Sequence, residues 1–394
     1  MTCVLVVDDS QFMQTVVGNA LTAAGYDVCT ARTGDEALEL VEANEPDVIT
    51  MDVEMPGMGG LEAVERIMSR NPTPILMLSA HTERGAKATL EALERGALDF
   101  LPKSASSSEQ NIAHLADAVV EKVDALSEAT VSSLALARAT AAVHATKRQV
   151  PDPDRHAPVS SVTAGGANPA TASPRTSRRV SGADTPGTKT PVEGPLLEHP
   201  TIVIGASTGG PKIIERVVAG LPSALEAKVL IVQHMPPDFT KRLADRLDSA
   251  SEYDVREASD GDRVRAGDVV IAKGGHHLTV TDNDGGALEV ALTSGPRVHG
   301  VRPSIDVTME TAAETVTDPL CGVVLTGMGK DGAAGIEAIN AAGGHTIAQD
   351  EATSPVFGIP RQAIETGCVD EIVPASALVD RIVDAFTTDG ETDD

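Results

Sequence analysis

Two groups of residues in this sequence have types and spacing suited to chemistry. The first ends a series of short apolar runs: Asp8 and Asp9 in VLVVDDS, Asp52 in VITMDVEMPG, Ser79 in ILMLSAH and Lys103 in DFLPK. Three carboxylates brought to one edge repel one another unless a hard cation sits among them, and Mg2+ accepts one or two carboxylates together with phosphate oxygens. A lysine and a hydroxyl beside that cation suit phosphoryl oxygens. The second group is Ser207 in IGASTGGP, His234 in KVLIVQHMPP and Asp331 in CGVVLTGMGKDGAAGIEAIN. A hydroxyl, an imidazole to take its proton and a carboxylate to orient the imidazole are the parts of nucleophilic acyl transfer.

Taken singly, each residue has a plainer reading. Strand-end Asp and Ser residues cap helices. IGASTGGP fits the G-x-S-x-G nucleophile turn, but a glycine turn into a helix also cradles phosphate; the stretch lacks both the GxGxxG spacing and the GK[ST] of a P-loop. Loop histidines are often structural, and Asp331 before a helix reads as an N-cap. These readings leave the coincidence unexplained: five residues at four strand ends fall in the right strand order in the first group, and Ser, His and Asp each follow a strand in the second. The order Ser, His, Asp also differs from the Ser, acid, His of α/β-hydrolases. His276-His277 stand side by side before a hairpin, a poor geometry for sharing one metal ion. Asp350 and Glu351 are expected to shape the cleft.

The elements that position these residues follow from periodicity. From Val4 to Lys103, apolar runs alternate with helical patterns such as Gly34-Asp-Glu-Ala-Leu-Glu-Leu-Val41, which predicts a doubly wound (βα)5 domain over residues 1–125. Its last helix, alanine-rich and free of Pro and Gly from 111 to 146, is expected to extend to about residue 146. Residues 147–198 are rich in Pro, Ser, Thr, Gly and Arg and too poor in large apolar side chains to repay ordering, which predicts a disordered linker. Residues 199–388 again alternate strand and helix, with a β-hairpin inset at Leu278-Thr-Val-Thr-Asp-Asn-Asp-Gly-Gly-Ala-Leu-Glu-Val290. The expected second domain is a doubly wound, mainly parallel α/β unit, followed by an acidic tail at 389–394.

Composition narrows the function classes. The 394 residues carry 31 Lys and Arg against 58 Asp and Glu, a net charge of −27, which excludes a nucleic-acid binder because phosphate contacts need a positive face. The excess is −10 over residues 1–103, −1 over 104–198 and −16 over 199–394. Such acid-coated domains suit a high-salt cytoplasm, where counter-ions screen self-repulsion. No apolar run nears eighteen residues and no leader pattern opens the chain, so no membrane insertion and a cytoplasmic location are expected. Cys3, Cys29, Cys321 and Cys368 show no CxxC spacing and are expected to be free thiols.

The first set of residues resembles the receiver domain of two-component response regulators. That resemblance implies that Asp52 accepts a phosphoryl group from a chemotaxis histidine kinase, with Asp8, Asp9, Asp52 and the backbone carbonyl of Glu54 around Mg2+. Ser79, Phe100 and Lys103 match the family's switch hydroxyl, switch aromatic and lysine. Residues 200 to about 388 resemble the catalytic domain of chemoreceptor methylesterases of the CheB type, on IGASTGGP, VQHMPPDFT, VVLTGMGKDGAAG and AQDEATSPVFGIP. It implies that Ser207 attacks a γ-glutamyl methyl ester on a chemoreceptor, His234 serves as base and then acid, and Asp331 holds the imidazole. Met328 lends its N–H to the oxyanion and Thr208 supports the serine loop. No cofactor is expected for the ester chemistry, and glutamine deamidation is expected from the same acyl-enzyme.

Two rivals stand beside this reading: a response regulator whose effector domain binds a phosphate-bearing ligand without turnover, and an adaptor with a decayed site. A flexible linker of roughly 50 residues leaves its ends some 40 Å apart and transmits no orientation. Control by phosphorylation then requires intramolecular docking, and the resemblance implies that the unphosphorylated receiver covers the catalytic cleft.

Overall fold

The structure is a computed structural model that describes residues 2–80, 83–103, 109–129, 194–284 and 286–388. In the N-terminal half, β1 (Cys3–Val7), α1 (Gln11–Ala23), β2 (Asp27–Ala31), α2 (Gly34–Asn44), β3 (Val48–Asp52), α3 (Gly60–Arg70), β4 (Ile75–Ala80), α4 (Glu83–Glu94), β5 (Asp99–Lys103) and α5 (Glu109–Ser127) follow in turn. The strands pair in parallel in the order β2-β1-β3-β4-β5. Helices cover both faces, so β3 is buried along its whole length. Strand order reverses between β1 and β3, and the crevice at such a switch point is where ligands bind; Asp8, Asp9 and Asp52 lie there. A Cβ on Gly60 would sit 2.0 Å from the Asp52 carbonyl oxygen, so glycine is what lets α3 start against the end of β3. The described part of α5 ends at Ser127; residues 130–146, the expected extension, lie outside the described residues, as do 147–193 of the expected linker.

Ahead of the C-terminal half, Leu196 bridges Thr387, the Leu197 N–H donates to the Phe386 carbonyl at 2.9 Å and the Thr388 N–H to that of Pro195 at 3.0 Å. Leu196 and Leu197 also pack on the apolar core.

The C-terminal half contains β6 (Thr201–Ala206), α6 (Gly210–Gly220), β7 (Lys228–Gln233), α7 (Phe239–Asp248), β8 (Asp254–Glu257), β9 (Asp262–Val264), β10 (Asp268–Ile271), β11 (His277–Asp284), β12 (Ala287–Thr293), α8 (Ile305–Thr315), β13 (Leu320–Val324), α9 (Ala333–Ala341), β14 (His345–Gln349), α10 (Gly358–Glu365), β15 (Glu371–Val373) and α11 (Leu378–Asp384). Seven strands form a parallel sheet in the order β15-β14-β13-β6-β7-β10-β8. The hairpin forms as expected, and β9 adds to it as a third antiparallel strand. One face of the large sheet packs Leu230, Val232 and Val324 against Leu278, Val280 and Val290 of the small sheet and Ile305 and Met309 of α8. The other face belongs to an apolar cluster that continues into the N-terminal half.

The two halves meet through specific groups. Phe100 stacks on Phe239 with ring centroids 4.5 Å apart and an interplanar angle of 18°. Arg246 pairs with Glu94 at 3.0 Å and with Glu215 of its own domain. The Thr208 hydroxyl donates to Asp99 at 2.6 Å, and Lys122 pairs with the same carboxylate. Among the described residues no helix is long and apolar enough to cross a membrane.

Candidate functional site

In the N-terminal half, the predicted carboxylates come together. Asp8, Asp9 and Asp52 each offer an oxygen within 4.8 Å of the others. Lys103, from the end of β5, donates to Asp8 Oδ2 at 2.7 Å and lies 2.9 Å from Asp52 Oδ1. Burial pushes the Asp52 carboxyl above the usual carboxylate range, against the pull of Lys103 and of the Val53 N–H; the charge of Asp8 adds to the rise. Ser79 is buried at the end of β4, next to β3, whereas Glu54 is exposed just beyond Asp52. An all-oxygen donor set in this spacing fits a small hard cation such as Mg2+. Phe100 is buried, its ring against Phe239 of the other half.

In the C-terminal half, the sheet order supplies what the sequence lacks. Ser207 follows β6, His234 follows β7 and Asp331 lies beyond β13, three neighbouring strands at the point where strand order reverses. Ala206 and Gln233 are register partners, and the His234 N–H donates to the Ala206 carbonyl at 3.0 Å, so serine and histidine leave the sheet side by side. His234 Nε2–H donates to Asp331 Oδ2 at 2.7 Å. The Ser207 hydroxyl makes no hydrogen bond to a described residue.

Asp331 does not cap α9, the plainer reading of its sequence position. Asp306, from α8, does so instead, accepting from the N–H groups of Gly332 and Gly335 at 2.8 Å each. Asp331 accepts from the Ser304 hydroxyl at 2.6 Å, the Ile305 N–H at 2.7 Å and the Asp306 N–H at 3.2 Å, besides His234. Burial alone would raise its pKa, but His234, Ser304 and Ile305 outweigh burial and hold the carboxyl below the usual range. The acid therefore stays ionised and fixed in orientation.

The turn that carries Ser207 is held from three sides. The Ser207 N–H donates to the Thr326 carbonyl at 3.0 Å, and Gln233 Nε2 donates to the Ser207 carbonyl at 2.8 Å. The Thr326 hydroxyl donates to the Thr208 carbonyl at 2.9 Å, and its N–H donates to Gln349 Oε1 at 3.0 Å. Gly209 has φ +78°, and a Cβ there would meet Pro355 at 2.7 Å, so the turn needs glycine both for its backbone and for space. A Cβ on Gly327 would lie 2.6 Å from the Ser207 Cβ; the Gly327-Met328 segment thus runs against the serine, and the Met328 N–H donates to no described residue. Gln233, Ser304, Thr326 and Gln349 were not singled out from sequence. The only signal was polar side chains within or next to apolar strand runs.

The remaining expectations resolve simply. His277 is buried with Nε2–H donating to the Pro296 carbonyl at 2.9 Å. Asp350 accepts from the Thr353 N–H at 3.0 Å and so fixes the loop before Val356, while Glu351 is exposed. The four cysteines are free.

Comparison with known proteins fits this geometry. Residues 202–382 match the CheB methylesterase family and residues 4–115 the response regulator receiver domain. The chain is 45% identical to a protein-glutamate methylesterase/protein-glutamine glutaminase of Haloarcula marismortui over 98% of both chains. It is 40% identical to the protein of that name from Pyrococcus horikoshii, over 97% of this chain and 93% of the other. The crystal structure of the Thermotoga maritima CheB methylesterase catalytic domain is 42% identical, with a TM-score of 0.45, covering 47% of this chain and 97% of that one. With near-complete coverage at this identity, the chain belongs to the CheB family of methylesterases that carry an N-terminal response-regulator receiver domain.

Proposed function

We propose that the protein is a phosphorylation-controlled serine esterase of chemotactic adaptation, which hydrolyses glutamate methyl esters on chemoreceptors to glutamate and methanol. The observation that carries this reading is the buried, four-times hydrogen-bonded Asp331 holding His234 beside the Ser207 turn. A phosphate-binding effector would have no use for an imidazole oriented in this way. Asp331 takes one ring nitrogen of His234 and leaves the other for the serine. Ser207 Oγ attacks the ester carbonyl carbon as its proton passes to His234, and the Met328 N–H receives the oxyanion. The C–O bond breaks, the imidazolium returns the proton and methanol leaves. Water, deprotonated by His234, then attacks the acyl-enzyme to release glutamate and restore Ser207. With a glutamine side chain the same steps release ammonia. An oxyanion donor of this kind is worth about 3 kcal/mol.

In the receiver half, Asp52 is the phosphoryl acceptor from a histidine kinase, with Asp8, Asp9, Asp52 and the Glu54 carbonyl as the residues that would hold Mg2+. The cation, when bound, shields the charge of the incoming phosphoryl oxygens. Lys103 positions Asp52, and Ser79 and Phe100 report its state. The unphosphorylated receiver restrains the esterase by docking: Asp99 holds Thr208, the residue after the nucleophile, and Phe100 holds Phe239. The chemistry is tested with a serine-directed fluorophosphonate. Wild type should be labelled at Ser207 and Ser207→Ala left unlabelled; no labelling of active wild type would overturn the serine mechanism.

A further inference from the structure

In a chain this acidic, the loop residues 272–276, 294–304 and 325–330 on the Asp331 side of the triad number 22 without one Asp or Glu, whereas the whole chain has 58 in 394. They carry Lys273, Arg297, Arg302, Lys330, His276 and His299.

The fold gathers these segments into one rim. Gly274 lies against Pro236 in the loop that follows His234, close enough that a Cβ would be 2.6 Å away. The Gly275 N–H donates to the Arg302 carbonyl at 3.2 Å, which joins this loop to residues 297–304. His299 Nε2 is 3.1 Å from Asp306, whose N–H bonds the catalytic acid. Lys330 precedes Asp331 in the chain and is exposed, as is Arg297. Arg302 is fixed by donations to the carbonyls of Ser294 and Gly295 at 3.0 and 2.7 Å, and its Nε is buried without a partner. Among the described residues, Lys273, Arg297, Arg302 and Lys330 form no ion pair. Among the described residues, the receiver's ion pair, hydrogen bonds and ring contact across the interface go to Thr208, Phe239 and Arg246 and not to this rim.

We propose that this rim is a substrate-recognition surface for carboxylates that flank the target residue, so that the enzyme selects an acidic segment of its protein substrate. The inference rests on the esterase reading and adds to it the chemistry of the recognised segment. A catalytic domain with an excess of 16 negative charges repels an acidic partner at range; a local positive rim is the arrangement that reverses this at the point of contact. Each turnover also adds one carboxylate to the substrate, so a partly processed segment holds to the rim more firmly than an unprocessed one.

The test uses the full chain, Arg297→Glu/Lys330→Glu, and a soluble methylated receptor fragment, which removes lipid charge from the comparison. Exposed pairs being individually weak, reversing two charges should raise KM for methanol release about tenfold with little change in kcat. The wild-type KM should rise with salt and that of the variant should not. Equal fluorophosphonate labelling of Ser207 in both proteins shows that the triad is intact. If KM and its salt dependence match wild type within about twofold, the rim is not a recognition surface. If wild type itself releases no methanol, the esterase reading fails first and the inference with it.

Discussion

The hydroxyl of Thr208 donates to Asp99 at 2.6 Å, so the residue after Ser207 is hydrogen-bonded to the first residue of the receiver's last strand. The same strand carries Phe100, stacked on Phe239, and Lys103, paired with Asp8 and Asp52. Five consecutive residues therefore touch both the Asp8 and Asp52 cluster and the Ser207 turn. This gives a physical route from one site to the other that does not involve the linker.

Removing the contact should loosen the docked state. A hydrogen bond to a charged group contributes about 1.5 to 3 kcal/mol, so Asp99→Ala should raise the unphosphorylated esterase rate at least about tenfold, up to the rate of the undocked enzyme. With saturating phosphodonor it should match wild type, because both are then undocked. An unchanged basal rate in methanol release would show that Asp99 does not restrain Thr208.

The Ser304 hydroxyl donates to Asp331 at 2.6 Å. Ser304→Ala removes one of the donors that hold the Asp331 carboxyl below its usual range, so the carboxyl titration, followed by NMR, should move upward. At neutral pH, kcat should be on the order of tenfold lower with KM little changed. A lower kcat with an unmoved Asp331 titration would assign Ser304 a packing role only.

Much of this site was legible because chemistry-bearing residues follow apolar runs. Alternation alone places Asp8, Asp52 and Lys103 at the edge of one sheet and Ser207 and His234 at the edge of another. Asp331 was ambiguous by the same method, since a carboxylate before a helix has two uses; only Asp306, 25 residues earlier, decides between them by taking the cap. Gln233, Thr326 and Gln349 act through contacts between strands whose adjacency depends on sheet order, which no local pattern encodes. The third strand β9 escapes a reading of the sequence because three residues are too little signal.

Lys212 supplies a pH prediction with a definite sign. Its amine is buried without a partner among Glu215 on α6, Arg246 on α7 and Glu94 on α4. Burial, with Arg246 adding, lowers its pKa to about 7 against the pull of both glutamates. The unfolded chain keeps a proton up to about pH 10.4, so the folded state is penalised most below pH 7 and the penalty fades as pH rises through that window. Lys212→Met should melt higher than wild type near pH 6.5, and the gap should shrink toward pH 10. A gap independent of pH would contradict the buried neutral amine.

The charge of −27 predicts a salt requirement. Screening of like charges within about 10 Å at 0.1 M salt, and closer at higher salt, should raise the melting temperature steadily toward molar salt. Equal melting temperatures at low and molar KCl would mean that the acidic surface carries no stability cost.

The central claim is that one serine does the chemistry and one aspartate controls it. Methanol release from methylated receptor membranes, with and without a small-molecule phosphodonor, tests both for wild type, Ser207→Ala and Asp52→Asn. The account predicts release by wild type that rises with phosphodonor, none by Ser207→Ala, and a low rate by Asp52→Asn that phosphodonor leaves unchanged. Release by Ser207→Ala at the wild-type rate, or stimulation of Asp52→Asn by phosphodonor, would contradict it.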